Sequence, residues 1–509
     1  MKKLNITFVA YGYEHLAISL LSAIAKKEGH TTGLAFSSSI FNDRFMSQSS
    51  WLSKPFDDRY QIMESIKRQN PEVVAFSSVT STYLQLLQVA KDVKMFNPHI
   101  KTIFGGVHPS AVPERVVVQD AIDYIVIGEG EKAFIKILEA IANNDYVTPI
   151  ENTWYKADNG HIIKGIQKGF LQDLNSLPQF DKPLWEEYIR LGDLYVTMAS
   201  RGCPFKCAFC FNNYFKHLPE ETPGKYVRQR SVDHVMEELI FAKKSYNIKW
   251  VDFLDDILTF DKIWLHEFLI RYRNEINVPF HCFTHPNYFD EDIAGWLRDA
   301  GCKWAQMGIQ TLDENYKKQE LFRNEANEDI IKALDLMKKY KINSKVDYIL
   351  GLPGEPKQAQ DTALEFFKCH TPTLIETYWT SYFPKTELMN RAIKEGLLNN
   401  EQLEDICEGR ELNLYRKSDN LQDKEHIGFY HTYHFLFKIL PNLPRSFRNK
   451  VTYNKAYKIP SWIKGTLAFS SHLFIACRKN DPRIVNIIKH VLFQMYRITF
   501  IKLTIWKKY

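Results

Sequence analysis

The 509-residue chain is 45% hydrophobic and 25% charged, proportions of a globular protein that exclude a disordered or collagen-like one. At roughly 100–200 residues per domain, its length predicts about three domains, each able to bury a core of its own. The net charge of +6 is unevenly spread: beyond Glu425 the chain holds fifteen Lys and Arg against one acid, Asp481, so this tail is strongly basic and the remainder acidic.

Eight cysteines are too few and too scattered for a secreted disulfide framework, and three of them, Cys203, Cys207 and Cys210, crowd into one short stretch. That crowding points to metal chemistry in a reducing cell interior. At the N-terminus, Tyr11, Tyr13, Glu14 and His15 arrive before any signal-like apolar core could form, so the segment reads as a first strand over 6–10. No run reaches about 18 uninterrupted apolar residues. A cytoplasmic protein is expected.

Residues 1–150 alternate short apolar runs with amphipathic stretches, the pattern of a doubly wound, Rossmann-like parallel sheet. Such sheets take ligands at the carboxyl ends of their strands. Those ends fall at the turn 10–13, at Ser77 and Ser78, at Gly105, Gly106 and His108, and at Gly128 and Glu129. As ligand contacts they compete with a plain turn reading. Residues 151–187 read as a connector, with a hairpin around Asp158, Asn159 and Gly160 and interruptions at Pro178 and Pro183.

Residues 188–400 contain six further strand patterns, at 194–200, 249–254, 279–285, 303–309, 345–350 and 373–379, with helical patterns between them. Six βα repeats predict a partial parallel (β/α)6 barrel whose functional groups sit on the loops after the strands. The α-rich, basic and aromatic segment 401–509 ends in a helix that places Arg483, Asn486, His490, Gln494, Arg497, Thr504 and Lys508 on one polar stripe. That helix could lie on a membrane surface or dock on the catalytic domain, and no motif accompanies the charge that would suggest nucleic acid. The segment's aromatic and basic residues, Tyr453, Tyr457, Trp462 and Lys464, could line a substrate pocket or be ordinary core.

The loop Ser200 to Cys210, SRGCPFKCAFC, follows the first barrel strand. Three thiolates spaced C-x3-C-x2-C suit a soft metal centre, and thiolates are the usual ligands of iron–sulfur clusters. Three ligands leave one iron of a four-iron cluster open to a substrate or cofactor. A zinc site would need a fourth ligand, which His217 supplies at poor spacing. Cys282, inside an apolar strand, reads as core.

This loop resembles the signature of the radical S-adenosylmethionine (SAM) superfamily. The resemblance implies a [4Fe-4S] cluster on Cys203, Cys207 and Cys210, with SAM on the fourth iron, cleaved reductively to a radical that takes hydrogen from substrate. VDFLDDILTFD (251–261) resembles the segment whose acids, here Asp255 and Asp256, hold the SAM amino group. AGCKWAQMGIQTLDE and LFRNEANEDI resemble the segments that place Gln310 at the ribose and Arg323 at the SAM carboxylate. Gln310 stands where relatives commonly carry glutamate. VDYILGLPGEP resembles the motif whose Gly351 and Gly354 let backbone approach the adenosine. FGGVHPSAVPE and DYIVIGEGE resemble the cobalamin-binding domains that precede many such cores, although no D-x-H-x-x-G motif is present. His15 and His108 are candidate neighbours of that cofactor.

The reading expected from these resemblances is a cobalamin-dependent radical SAM methyltransferase acting on an unactivated centre of a small molecule, served by an external electron donor. Its rivals are a radical SAM cyclase or oxidoreductase like the anaerobic magnesium-protoporphyrin ester cyclase, and a noncatalytic binding protein.

Overall fold

A computed structural model describes residues 2–40, 42–43, 47–48, 54–157, 160–221, 224–410 and 421–506. Its N-terminal sheet has seven strands: β1 (Asn5–Tyr11), β2 (Thr31–Ser37), β3 (Val73–Ser77), β4 (Lys101–Gly105), β5 (Tyr124–Val126), β6 (Thr153–Lys156) and β7 (Ile162–Lys164). They lie in the order β2-β1-β3-β4-β5-β6-β7. The first five are parallel, and β6 and β7 join antiparallel at the edge. These last two strands are the hairpin expected from the sequence, whose turn residues Asp158 and Asn159 lie outside the described residues.

A sheet covered on both faces needs side chains that are apolar on both. In β1, Ile6 and Phe8 pack into one layer with α1 (Leu16–Lys27), while Val9 packs into the other with α2 (Tyr60–Gln69) and α3 (Tyr83–Phe96). The helix α4 (Glu131–Asn143) completes the α1 side through Phe134 and Ile137. The chain leaves β1 towards β2 and re-enters on the opposite side at β3, so a crevice opens at the carboxyl ends between them. Strand β2 had no counterpart among the sequence expectations. It opens on Thr31, Thr32 and Gly33, and the glycine is there because the Gln69 side chain occupies the space a Cβ would need.

The second sheet has six parallel strands in sequence order, β8 (Tyr195–Thr197), β9 (Val251–Phe253), β10 (Phe280–Thr284), β11 (Cys302–Gln310), β12 (Asn343–Leu350) and β13 (Leu374–Trp379). All six answer the sequence reading. Their outward residues, among them Val251, Phe253, Met307, Val346 and Ile375, form the largest core, against α5 (Val232–Tyr246), α6 (Lys262–Arg271), α7 (Glu291–Asp299), α8 (Asn327–Lys339) and α9 (Gln358–Cys369). The alternate positions are polar, and they interlock. Asp252 meets His281 Nδ1 at 2.8 Å, His281 Nε2 meets Gln306 at 3.2 Å, and Gln306 donates to Asp347 at 2.8 Å.

The C-terminal segment adds α10 (Leu421–Ile439) and a hairpin of α11 (Ser461–Arg478) and α12 (Pro482–Trp506). It docks onto the barrel by burying Tyr430, Tyr433, Phe437 and Leu440 in the same core, and by charge. Lys438 meets Glu376 at 2.6 Å, Asp481 meets Lys345 at 2.5 Å, and Arg483 meets Asp252 at 2.8 Å. Burial alone would push Asp252 up, but Arg483 and His281 beside it hold its carboxyl well below the usual range.

The polar stripe of α12 faces the protein. Gln494 donates to the Tyr188 carbonyl at 2.6 Å, His490 lies 5.0 Å from the Tyr13 ring, and Arg497 reaches Asp58 at 3.4 Å. The side chains of Thr504 and Lys508 lie outside those described. The helix therefore runs from the barrel to the N-terminal sheet, on the docked alternative of the sequence reading.

Candidate active site

The two sheets present their strand carboxyl ends to one site. On the barrel side, Ser200–Arg201 pairs antiparallel with Arg228–Gln229 and launches the cysteine loop. Gly202, at φ +85°, is required there because a Cβ would stand 2.4 Å from the Tyr226 carbonyl oxygen. The loop then folds on itself, the Cys210 amide donating to the Cys207 carbonyl at 3.1 Å, and is tied to the barrel where the Ala208 amide donates to the Leu321 carbonyl at 3.1 Å.

Cys203, Cys207 and Cys210 are all free thiols. Burial pushes Cys203 up to about 12 and Cys210 up to about 11, and each thiol raises the next. Such a trio stays protonated until a metal or cation offsets the charge. Cations are at hand. Arg323 approaches Cys207 Sγ at 3.6 Å, and the half-buried Lys216 feels all three sulfurs while its amine donates to the Phe205 carbonyl. Three neighbouring thiols on one loop, with two cations beside them, fit an iron–sulfur cluster. Among the described residues, no group of three or more His, Cys, Asp or Glu gathers closely enough to hold a single ion.

The structure separates the two acids paired in the sequence reading. Asp255 is fully buried and turned inward, accepting from the Ala199 amide at 3.1 Å and the Ser200 hydroxyl at 2.5 Å. Burial pushes it up to about 6 despite these donors. It braces the strand end from which the cysteine loop departs. Asp256 instead lines the site and accepts from the Asn212 side chain at 3.1 Å.

Arg323 is likewise engaged within the protein. It donates to Glu325 at 2.6 Å and to the Gly308 carbonyl at 2.7 Å, besides Cys207. Its guanidinium thus stands beside the cysteine loop, held by Glu325 and the Gly308 carbonyl. Gln310 ends β11 at φ +62°, where the strand register shifts against β12. Gly351 and Gly354 follow β12 in left-handed turns at φ +78° and +72°, conformations that glycine adopts without the penalty a Cβ would bring.

On the N-terminal side a cavity of about 370 Å³ opens under the β1/β3 crevice. Its walls are apolar, with Phe8, Leu20, Ile103 and Phe134 prominent, and Ser77, Gly105, Gly106 and Gly128 at the strand ends edge it. Gly106, at φ +101°, cannot be replaced without conflict, since a Cβ would meet the Ser78 carbonyl oxygen at 2.6 Å. Met198, Arg201, Leu254 and Asp256 close the cavity from the barrel side, so both halves of the chain share it. A largely apolar pocket ending in a glycine cradle fits the bulky tail of a corrinoid.

Glu129 also lines this cavity, but its carboxylate is spent between domains. Arg201 reaches it at 3.0 Å and Arg228 at 2.9 Å, while Arg201 also meets Glu131 at 2.6 Å. These cations hold Glu129 below the usual carboxylate range although it is buried. His108 is absent from the cavity wall. It is fully buried against the Tyr83 ring at 4.1 Å, with its pKa lowered to about 3 by burial. His15 is stacked on Trp185 at 6.3 Å and bonds the Tyr11 carbonyl. The sequence reading missed Arg201, Lys216, Asn212 and Arg228. Only the place of Arg201 inside the cysteine loop could have flagged one of them.

A three-thiol loop at the head of a six-stranded parallel barrel faces a doubly wound domain with an apolar cavity, the arrangement the sequence resemblances imply. Comparison with known proteins agrees. The radical SAM superfamily matches residues 198–367, and the B12 binding domain matches residues 3–138. The chain thus carries a radical SAM domain over 198–367, preceded by a B12-binding domain over 3–138.

An uncharacterized methyltransferase of Pyrococcus horikoshii is 27% identical over 342 residues, 66% of this chain and 72% of the relative. The anaerobic magnesium-protoporphyrin IX monomethyl ester cyclase of Rubrivivax gelatinosus is 23% identical over 347 residues, 64% of this chain and 58% of its own length. The solved structure of the radical SAM methyltransferase TsrM from Kitasatospora setae, with cobalamin and a [4Fe-4S] cluster, superposes at a TM-score of 0.61. It shares 16% identity and covers 77% of this chain and 75% of its own.

Proposed function

We propose that this protein is a cobalamin-dependent radical SAM methyltransferase that acts on an unactivated centre of a small molecule in the cytoplasm, fed by an external one-electron donor. The observation that carries this reading is the shared cavity, whose apolar pocket lies in the B12-binding domain and whose barrel wall ends at the cysteine loop. When bound, the cluster and SAM supply reductive one-electron chemistry, and cobalamin supplies a transferable methyl group.

The chain's own residues divide the remaining work. Cys203, Cys207 and Cys210 hold the cluster, and Arg323 and Lys216 offset the charge of their thiolates. Asp256, turned to the cavity, accepts from the SAM ammonium group. Gln310 offers an amide to the ribose, and backbone at Gly351 and Gly354 approaches the adenosine. Ser77, Gly105, Gly106 and Gly128 cradle the corrinoid tail. Glu129, bound to Arg201 and Arg228, locks the cysteine loop to the cobalamin side. Phe8, Phe134, Met198 and Leu254 exclude water.

The test is to reconstitute the protein without oxygen, with cluster, cobalamin, SAM and a strong reductant, and to quantify 5′-deoxyadenosine and S-adenosylhomocysteine together by mass spectrometry. Both products support methyl transfer. Deoxyadenosine alone favours the cyclase-like reading that the Rubrivivax relative represents. Neither product from protein with a full complement of iron overturns both.

A further inference from the structure

The C-terminal hairpin has its amphipathicity turned inside out. Along α12 the buried stripe is polar, with His490, Gln494 and Arg497 spent on the protein. The opposite stripe, Ile488, Leu492, Tyr496 and Phe500, recurs at helical spacing and faces solvent, with Leu492 60% and Tyr496 71% exposed. The partner helix α11 also exposes large apolar side chains, Trp462, Phe469 and Phe474, which are 74%, 69% and 57% exposed. Exposed aromatic residues in this number on one structural unit mark an interaction surface, since scattered single residues are the ordinary state.

The charge around these rings names the occupant. Beyond Glu425 the only acid is Asp481, and it is buried against Lys345. The exposed polar surface of this segment therefore carries cations without a compensating acid of its own. Some stand directly on the aromatic residues, Arg478 over the Phe474 ring at 5.7 Å and Lys450 over the exposed Phe447 ring at 5.3 Å. Exposed aromatic side chains mixed with Lys and Arg are the composition of a helix that lies in the headgroup region of an anionic bilayer. A second copy of this chain joined by a two-fold axis would set the same cations against one another. No helix among the described residues is long and apolar enough to cross a membrane, so attachment would be in the surface plane.

We infer that the outer face of the α11–α12 hairpin docks the protein on an anionic lipid surface through exposed apolar and aromatic residues and the cations beside them. The face is separate from the cavity and needs no cofactor, so the inference stands or falls apart from the methyl-transfer reading.

It is tested with full-length protein, without cofactors, by flotation with vesicles of phosphatidylcholine alone and of phosphatidylcholine with phosphatidylglycerol, at low and high salt. The wild type should float with the phosphatidylglycerol vesicles and release partly at high salt. The double variant Leu492→Glu and Tyr496→Glu should bind at least about tenfold more weakly. Ile263→Glu, at a residue still more exposed on α6, is the control and should bind like the wild type. Circular dichroism of all three should coincide, since every changed side chain is in solvent.

No flotation of the wild type overturns the inference. So does undiminished flotation of the double variant, or equal binding to neutral vesicles. Self-association in gel filtration that the double variant abolishes, without vesicle binding, reassigns the face to a second copy of the chain.

Discussion

On the N-terminal side of the site the ligand surface is apolar, with Phe8, Leu20, Ile103 and Phe134 around the turns at Gly105 and Gly106, whereas on the barrel side it is made of thiols, carboxylates and cations that hold one another. The first surface recognises by shape and by excluding water, a non-directional attraction that scales with apolar area. The second depends on charges whose energies are large only because the site is buried. Ligands on the two sides should therefore be separable by substitution, although Arg201 and Glu129 bind the two walls together.

The largest expected effect breaks the barrel side alone. Cys203→Ala, Cys207→Ala or Cys210→Ala should lower iron content severely and reduce deoxyadenosine formation to background, while cobalamin still binds to the apolar cavity. The reverse variant is Ala17→Trp, which puts an indole into the cavity wall. It should weaken cobalamin binding at least about tenfold and leave iron content unchanged. Absorbance titration and iron analysis on both proteins decide the matter. If either substitution abolishes both ligands, the two walls are not independent.

Next in size is the joint between barrel and tail. Arg483 is the cation that keeps the fully buried Asp252 ionised, so Arg483→Ala strands a carboxylate and should cost on the order of 3 kcal/mol. Because Asp252 is held low in the folded protein, its stabilising contribution is present above the ordinary carboxylate range and fades only in strong acid. The deficit of the variant should therefore be greatest at neutral pH and shrink as acid lets Asp252 take a proton. Thermal unfolding at several pH values reads this directly.

On the N-terminal wall the sharpest probe is Gly106→Ala. The new Cβ meets the Ser78 carbonyl oxygen at 2.6 Å in a left-handed backbone, a strain of about 1–3 kcal/mol. Chemical unfolding should show that loss, and cobalamin affinity should fall with it. An unchanged affinity would move the corrinoid cradle away from this turn.

Much of this geometry was legible in the sequence because it is local. Strands such as KVDYIL announce themselves by an apolar run broken at alternate positions by Lys345 and Asp347, and these prove to be spent on Asp481 and Gln306. The cysteine spacing is likewise confined to one loop. What escaped depends on partners far apart in the chain. Arg201 meets Glu129 and Arg228 meets it too, pairs no periodicity connects. The tail shows the same limit from the other direction. Spacing correctly grouped Arg483, His490, Gln494 and Arg497 on one stripe, but a stripe alone does not say which side the protein covers. Burial of Asp252 and Asp58 in the rest of the fold decided it, by drawing Arg483 and Arg497 inward and leaving Leu492 and Tyr496 outside.

The smallest expected effect separates two neighbouring acids that the sequence treats as a pair. Asp256→Asn keeps the shape of the site but removes a charged acceptor, worth about 1.5 kcal/mol or roughly tenfold in SAM affinity. Asp255→Asn should leave SAM affinity unchanged, because Asp255 points to Ala199 and Ser200 and not to the cavity. Its signature is in stability against pH. The folded protein raises Asp255 to about 6, above the ordinary carboxylate value, so between these two values the folded state binds more protons than the unfolded one. Stability must then fall as pH rises through that window, and the asparagine variant, with nothing to ionise, should lose that slope. Equal loss of SAM affinity in both variants would mean that the strand end moves as one unit, and that the division of labour between Asp255 and Asp256 is wrong.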